Sequence, residues 1–116
     1  MKSFLFAMRG ILHAVQTERN MRIHLISSLL VIAFAWWLPT TKVENLILFG
    51  WVVFVIALEL ANTAVERTVD LVTKDIQPLA KQAKDVAAGA VLVAAIGSAI
   101  TALFIFVPYI IDKFGI

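Results

Sequence analysis

Four polar residues share one face of a predicted helix in the middle of the chain. In ELANTAVERTVD, Glu59, Asn62, Glu66 and Asp70 follow one another at intervals of three or four residues. At 100° per residue they form a stripe about 80° wide and roughly 16 Å long. Because the apolar segment LILFGWVVFVIAL leads straight into this stripe, we expect Glu59 to be the deepest of the three carboxylates and Asp70 the most solvated.

A second helix is expected to face this stripe across a short turn. Pro78 suits the first turn of a helix, where its missing N–H leaves no hydrogen bond unmade. Lys81, Lys84 and Asp85 then share a face about 100° wide. Carboxylates without cysteine suit Mg²⁺, which usually binds through one or two carboxylates plus substrate phosphates, and lysine suits a phosphate chain. The hairpin is typical of a Mg-nucleotide site at a membrane surface, with Glu59 placed to take a proton from a lipid alcohol.

Two other interpretations of the same residues stay open on spacing alone. The polar groups can be ordinary interfacial residues, solvated or paired with Arg67 and Lys81, or they can form a proton or ion pathway. The sequence has no Gly-rich loop, no G-x-x-x-x-G-K-[ST] and no H-R-D, so a kinase interpretation requires a different kind of site. His13 is predicted to lie on a polar helix face and His24 at the membrane interface. A metal-ligand role is not favoured for either, because neither has metal-ligating neighbours at helical spacing.

The composition indicates one membrane domain. The apolar fraction of 61% lies above the roughly 45–50% of soluble domains, and the mean hydropathy is +0.93. A net charge of +2 gives no basis for a nucleic-acid surface, and the absence of cysteine excludes disulfides. We predict a single all-α membrane domain over residues 1–116. Its predicted elements are an amphipathic surface helix at 1–20 and three helices containing transmembrane spans at about 23–40, 44–72 and 78–111.

The basic residues predict the orientation of the chain. Eight of the ten precede the first span or lie between the second and third, and one lies in each of the other two positions. The positive-inside rule therefore places the N-terminus in the cytoplasm and the C-terminus outside. Within the surface helix the polar residues share one face, except that Glu18 falls on the apolar side beside Ile11 and Val15. On geometry alone this position is compatible with a frayed helix end.

Three segments, TERNMRIHL, ELANTAVERTVDL and PLAKQAKDVAAGAVLV, resemble the small integral-membrane diacylglycerol kinases of bacteria. The resemblance covers nearly the whole chain, and the residues of these segments are most similar to the Gram-positive branch, the undecaprenol kinases. It implies a homotrimeric bundle in the plasma membrane with composite sites between subunits. It also implies transfer of the ATP γ-phosphoryl group to undecaprenol, with Mg²⁺ or another divalent cation. Diacylglycerol is the alternative lipid, and a non-enzymatic ion-coupled or structural membrane subunit is the alternative of another class.

The resemblance also implies roles for individual residues. Glu59 matches the general base and, together with Arg22, the lipid-substrate contacts. Glu18 and Glu66 match the metal-binding carboxylates, which gives Glu18 a place in the site rather than at a frayed end. The residues implied around the nucleotide are Phe6, Glu18, Asn62, Glu66, Asp70, Asp75, Gln77, Lys84 and Asp85.

Overall fold

The chain folds into four α-helices and no strand. The computed structural model describes all residues from Met1 to Ile116, and its helices are α1 (Lys2–Thr17), α2 (Arg19–Trp37), α3 (Lys42–Val72) and α4 (Pro78–Phe114). Helices α2, α3 and α4 are each long and apolar enough to cross a membrane. The predicted all-α fold, an amphipathic first helix followed by three membrane helices, is therefore confirmed.

Local sequence signals explain several helix ends. The Thr41 hydroxyl accepts a hydrogen bond from the Glu44 backbone N–H, and the Glu44 carboxylate accepts one from the Thr41 N–H, so a capping box starts α3. Pro78 stands at the start of α4, where it removes no helical hydrogen bond. Gly115 ends α4 with a φ of 66°, a left-handed conformation that costs glycine little.

The elbow between α1 and α2 is a single residue. Glu18 has extended backbone angles, φ −108° and ψ 115°, so α1 ends three residues before the predicted boundary at 20 and α2 starts correspondingly early. The Arg22 guanidinium donates through Nη1 to the carbonyl oxygens of Val15 and Gln16, each at 3.0 Å. Because these carbonyls belong to the last turn of α1 and lack helical partners, Arg22 satisfies them and holds the two helices at the elbow.

Helices α3 and α4 form an antiparallel hairpin that makes up most of the packing. Early residues of one helix contact late residues of the other, in the pairs Asp70 with Lys84, Trp51 with Gly97 and Glu44 with Tyr109. At the middle pair, a Cβ added to Gly97 would lie 2.6 Å from the Trp51 ring, so any larger residue at position 97 would force that ring to move. Helix α2 packs mainly on α3, whereas α1 contacts α2 and α3 but not α4.

Buried and exposed residues are distributed as in a protein that faces lipid or other helices. Only 11 of the 116 residues are buried, and large apolar side chains cover most of the outside. Three of the buried residues are polar, namely Glu59, Asn62 and Thr63, and all three lie within five residues of one another on α3. Because a buried carboxylate needs a compensating partner or a function, this part of α3 is a candidate functional site.

Candidate active site

The polar part of α3 contains a buried acceptor without a partner. Glu59, Asn62 and Thr63 are 2%, 6% and 8% exposed. The Asn62 side chain donates through Nδ2 to Glu66 Oε1 at 3.3 Å, which directs its Oδ1 away from Glu66. That oxygen is buried and has no hydrogen-bond partner. Because unsatisfied buried polar atoms are rare, Asn62 Oδ1 is an acceptor that is open to a ligand.

A histidine that the sequence interpretation left at the interface lies against Glu59. His24 Nε2 is 3.5 Å from Glu59 Oε2, and the two side chains are 18% and 3% exposed. His24 also lines a cavity of about 300 Å³ between α2, α3 and α4, together with Ser27 and Ser28. A signal for this contact was present in the sequence, because two serines follow His24 at helical spacing and give an otherwise apolar helix one polar face.

Glu18, at the elbow between α1 and α2, contacts the C-terminal part of α3. Its Oε1 lies 3.0 Å from Arg67 Nη2, which also donates to the Thr17 hydroxyl at 3.2 Å. The carboxylates of Glu18 and Glu66 are both close enough to Glu59 to interact with it electrostatically. Glu18 and Glu66, the two carboxylates that the resemblance assigns to the metal, therefore both act electrostatically on Glu59, although Glu18 is held by an arginine.

A polar pocket lies where α3 turns into α4. It has a volume of about 340 Å³, and only two of its nine lining residues are hydrophobic. Across its wall Lys84 Nζ lies 2.5 Å from Asp70 Oδ1, so the predicted contact between the carboxylate stripe and a lysine of the next helix is present. Four of the residues predicted to surround the nucleotide line this pocket, namely Asp70, Asp75, Gln77 and Lys84.

Three other predicted site residues lie apart from these contacts. Asp85 pairs with Lys81 on the exposed side of α4, at 2.5 Å, and does not line the polar pocket. Phe6 is 60% exposed on α1, which makes no contact with α4. Arg22 is engaged with the carbonyls at the end of α1, so its predicted role in binding the lipid has no contact within one chain that supports it and stays a prediction.

The oxygen atoms near Glu66 fit a hard divalent cation. No group of three or more histidine, cysteine, aspartate or glutamate side chains is arranged to hold a metal ion by itself. Mg²⁺ does not require such a group, since it usually binds through one or two carboxylates and completes its shell with substrate phosphates and water. Glu66 supplies one carboxylate, and the Asn62 amide that donates to it carries an unpartnered oxygen on its other side, so the two oxygens can bind one cation once the Asn62 amide turns.

The site therefore combines a buried carboxylate inside the membrane bundle with a polar, lysine-containing pocket at its edge, and the family comparison agrees with that arrangement. Residues 5–106 match the model of the family described as prokaryotic diacylglycerol kinase. The chain belongs to this family of membrane lipid kinases. It is accordingly an enzyme of the plasma membrane that takes its phosphoryl group from ATP.

Individual relatives differ in the lipid for which they are named. The chain is 45% identical over 107 residues to the undecaprenol kinase of Bacillus subtilis, covering 92% of this chain and 87% of that protein. It is 42% identical to the diacylglycerol kinase of Synechocystis, over 91% of this chain and 61% of the relative. With the diacylglycerol kinase of Escherichia coli K12 the identity is 30%, over 83% of this chain and 79% of the relative.

Proposed function

We propose that this lipid kinase transfers the γ-phosphoryl group of ATP to undecaprenol and releases undecaprenyl phosphate and ADP. The observation that carries the proposal is Glu59, a carboxylate 2% exposed on a membrane helix, where a base can meet the hydroxyl of a molecule dissolved in the bilayer. The similarity to the Bacillus subtilis undecaprenol kinase favours that lipid. Diacylglycerol is the second candidate, supported by the similarity to the Synechocystis and Escherichia coli enzymes.

In the proposed reaction Glu59 orients the lipid hydroxyl and accepts its proton. The alcohol oxygen forms a bond to the γ-phosphorus as the bond from that phosphorus to the bridging oxygen of ADP breaks. The pocket at the α3–α4 turn holds the nucleotide through Asp75, Gln77 and Lys84, with the Lys84 ammonium group offsetting phosphate charge. Such a site acts by positioning and by neutralising charge, as other phosphoryl-transfer enzymes do.

Glu18 and Glu66 are the proposed ligands of Mg²⁺, with Asn62 Oδ1 as a further oxygen donor. When bound, the cation would offset the charge that develops on the phosphates during transfer. Arg67 Nη2 lies 3.0 Å from Glu18 Oε1, which leaves Oε2 as the oxygen for the cation.

A homotrimer with sites between subunits accounts for the residues that one chain leaves apart. Phe6 and Asp85 belong to the proposed nucleotide site, yet α1 and α4 of a single chain do not touch.

In the proposed membrane orientation the N-terminus and the α3–α4 turn are cytoplasmic and the C-terminus is outside. A single cysteine placed beside Lys42 should then react with an impermeant reagent added to intact cells, and one beside Lys74 should not. The opposite labelling pattern would contradict the orientation.

An assay with two lipids tests the substrate. Purified protein in detergent is incubated with γ-labelled ATP, Mg²⁺ and either undecaprenol or diacylglycerol, and the phosphorylated lipid is counted. We expect undecaprenol to have the higher kcat/KM. A preference for diacylglycerol would replace the proposed substrate, and phosphorylation of neither lipid would favour the third possibility, an ion-coupled or structural membrane subunit that keeps the motifs without the activity.

A further inference from the structure

We infer that His24 is a positioning residue for Glu59, and that its imidazole holds one carboxylate oxygen so that the other faces the lipid hydroxyl. The inference rests on the proposed role of Glu59 as the base. It adds a residue from α2 to a site otherwise built from the elbow, α3 and α4. The observation behind it is the 3.5 Å separation between His24 Nε2 and Glu59 Oε2 in a part of the molecule where Glu59 is almost completely buried.

His24 is the basic side chain that lies within 4.0 Å of Glu59. The three other basic side chains within that distance of a carboxylate contact different partners, Arg67 with Glu18, Lys84 with Asp70 and Lys81 with Asp85. An unpaired carboxylate in a membrane interior is costly, so the imidazole offsets part of the cost of keeping Glu59 where a lipid hydroxyl arrives.

The geometry leaves one oxygen of Glu59 for the substrate. The imidazole approaches Oε2, and the other ion pairs of the chain do not involve Glu59. A distance of 3.5 Å is longer than a good hydrogen bond, and such contacts at active sites commonly shorten when substrate binds. His24 also borders the cavity between α2, α3 and α4, which is lined mostly by hydrophobic residues and by Ser27, Ser28 and Ser98. It therefore contacts both Glu59 and a largely apolar cavity that also has three serine side chains in its wall.

Two substitutions separate positioning from packing. His24→Gln keeps an N–H donor at a position close to that of Nε2, whereas His24→Leu keeps an apolar side chain and removes the donor. We expect His24→Leu to lower kcat about 10- to 100-fold, because this range corresponds to losing a hydrogen bond to a charged group. The KM for MgATP should stay within about twofold of that of the unmodified protein. His24→Gln should retain most of kcat.

The chain offers a matched control, because it contains one other histidine. His13 is exposed on α1, and its side chain makes no hydrogen bond or ion pair. His13→Gln should leave kcat and both KM values unchanged. Equal activity of His24→Leu and His24→Gln, or a loss that appears in the KM for MgATP rather than in kcat, would contradict the inference.

A thermal cycle tests the pairing without any kinase activity. Midpoints of unfolding in detergent are compared for the unmodified protein, His24→Leu, Glu59→Gln and the double variant. If His24 offsets the Glu59 charge, His24→Leu lowers Tm when Glu59 is present and has a smaller effect in the Glu59→Gln background. Equal shifts in both backgrounds would overturn the inference. Should the unmodified protein phosphorylate neither lipid, the proposed function fails, whereas this cycle still reports whether the two side chains are coupled.

Discussion

Replacing Glu59 by glutamine gives the sharpest test of the proposed chemistry. Glutamine has nearly the same shape as glutamate, so the packing around a side chain that is 3% exposed should be preserved. The amide cannot accept the proton of the lipid hydroxyl. A positioned general base contributes typically 10²- to 10⁴-fold to a rate, so kcat should fall by about this factor, which corresponds to roughly 2.7–5.5 kcal/mol in the activation barrier.

Nucleotide binding should hardly respond to Glu59→Gln, because the two functions are separated along α3. At 1.5 Å per residue Glu59 lies about 10 Å from Glu66 and about 16 Å from Asp70, which lines the polar pocket. The same substitution should raise stability, since it removes a charge whose cost at the bilayer centre is about 2.5–3.5 kcal/mol. That figure is an upper bound here, because His24 offsets part of the cost.

The comparison variant is Glu66→Gln, which changes the same functional group on the same helix two turns away. Steady-state kinetics with undecaprenol and MgATP, together with equilibrium binding of a fluorescent ATP analogue in the presence of Mg²⁺, should distinguish the two. We expect Glu59→Gln to lose kcat and keep binding, and Glu66→Gln to weaken metal-dependent binding. An equal loss of nucleotide binding in both variants would refute the division of roles along α3.

Two further substitutions test the polar pocket and the hairpin. Lys84→Met removes the ammonium group from the wall of the pocket and should raise the KM for MgATP about tenfold. Lys113→Met, in the last turn of α4 at the opposite end of that helix, should leave this KM unchanged; steady-state kinetics compares them. Gly97→Ala places a methyl group 2.6 Å from the Trp51 ring and should cost about 1–3 kcal/mol, seen as a lower Tm in detergent. Gly50→Ala, where a methyl group meets nothing within 4 Å, should not lower Tm.

The part of the site that lies on α3 and α4 could be predicted from the sequence because each prediction depended on local rules. The stripe follows from helical periodicity, and the contact of Asp70 with Lys84 follows from an antiparallel hairpin that starts again at Pro78. Asp70 lies three residues before the loop at 73–77 and Lys84 seven residues after it, so the positions where the helices end fix both side chains. Little tertiary information was needed.

The contribution of α2 could not be obtained in the same way. His24, Ser27 and Ser28 mark one polar face of that helix, but the sequence does not show which neighbouring helix this face meets, and the contact of His24 with Glu59 depends on that rotation. The structure of the elbow at Glu18 could not be predicted from the sequence either. Periodicity over residues 1–20 assigned Glu18 to a helix, whereas the structure interrupts the helix at that residue, where Arg22 binds the carbonyls before it and Arg67 binds its carboxylate.

The order of groups along α3 matches the order in which the reactants must meet. A lipid hydroxyl comes from the bilayer, and Glu59 with His24 is the most buried polar pair. The nucleotide comes from water, and the pocket that contains Asp70 opens at the other end of the stripe. In the proposed mechanism Glu66, which lies between them, holds the cation beside the transferred phosphoryl group. The same mechanism explains why a carboxylate that would destabilise an ordinary membrane helix is kept at position 59, since it holds the acceptor hydroxyl within bonding distance of the donor there.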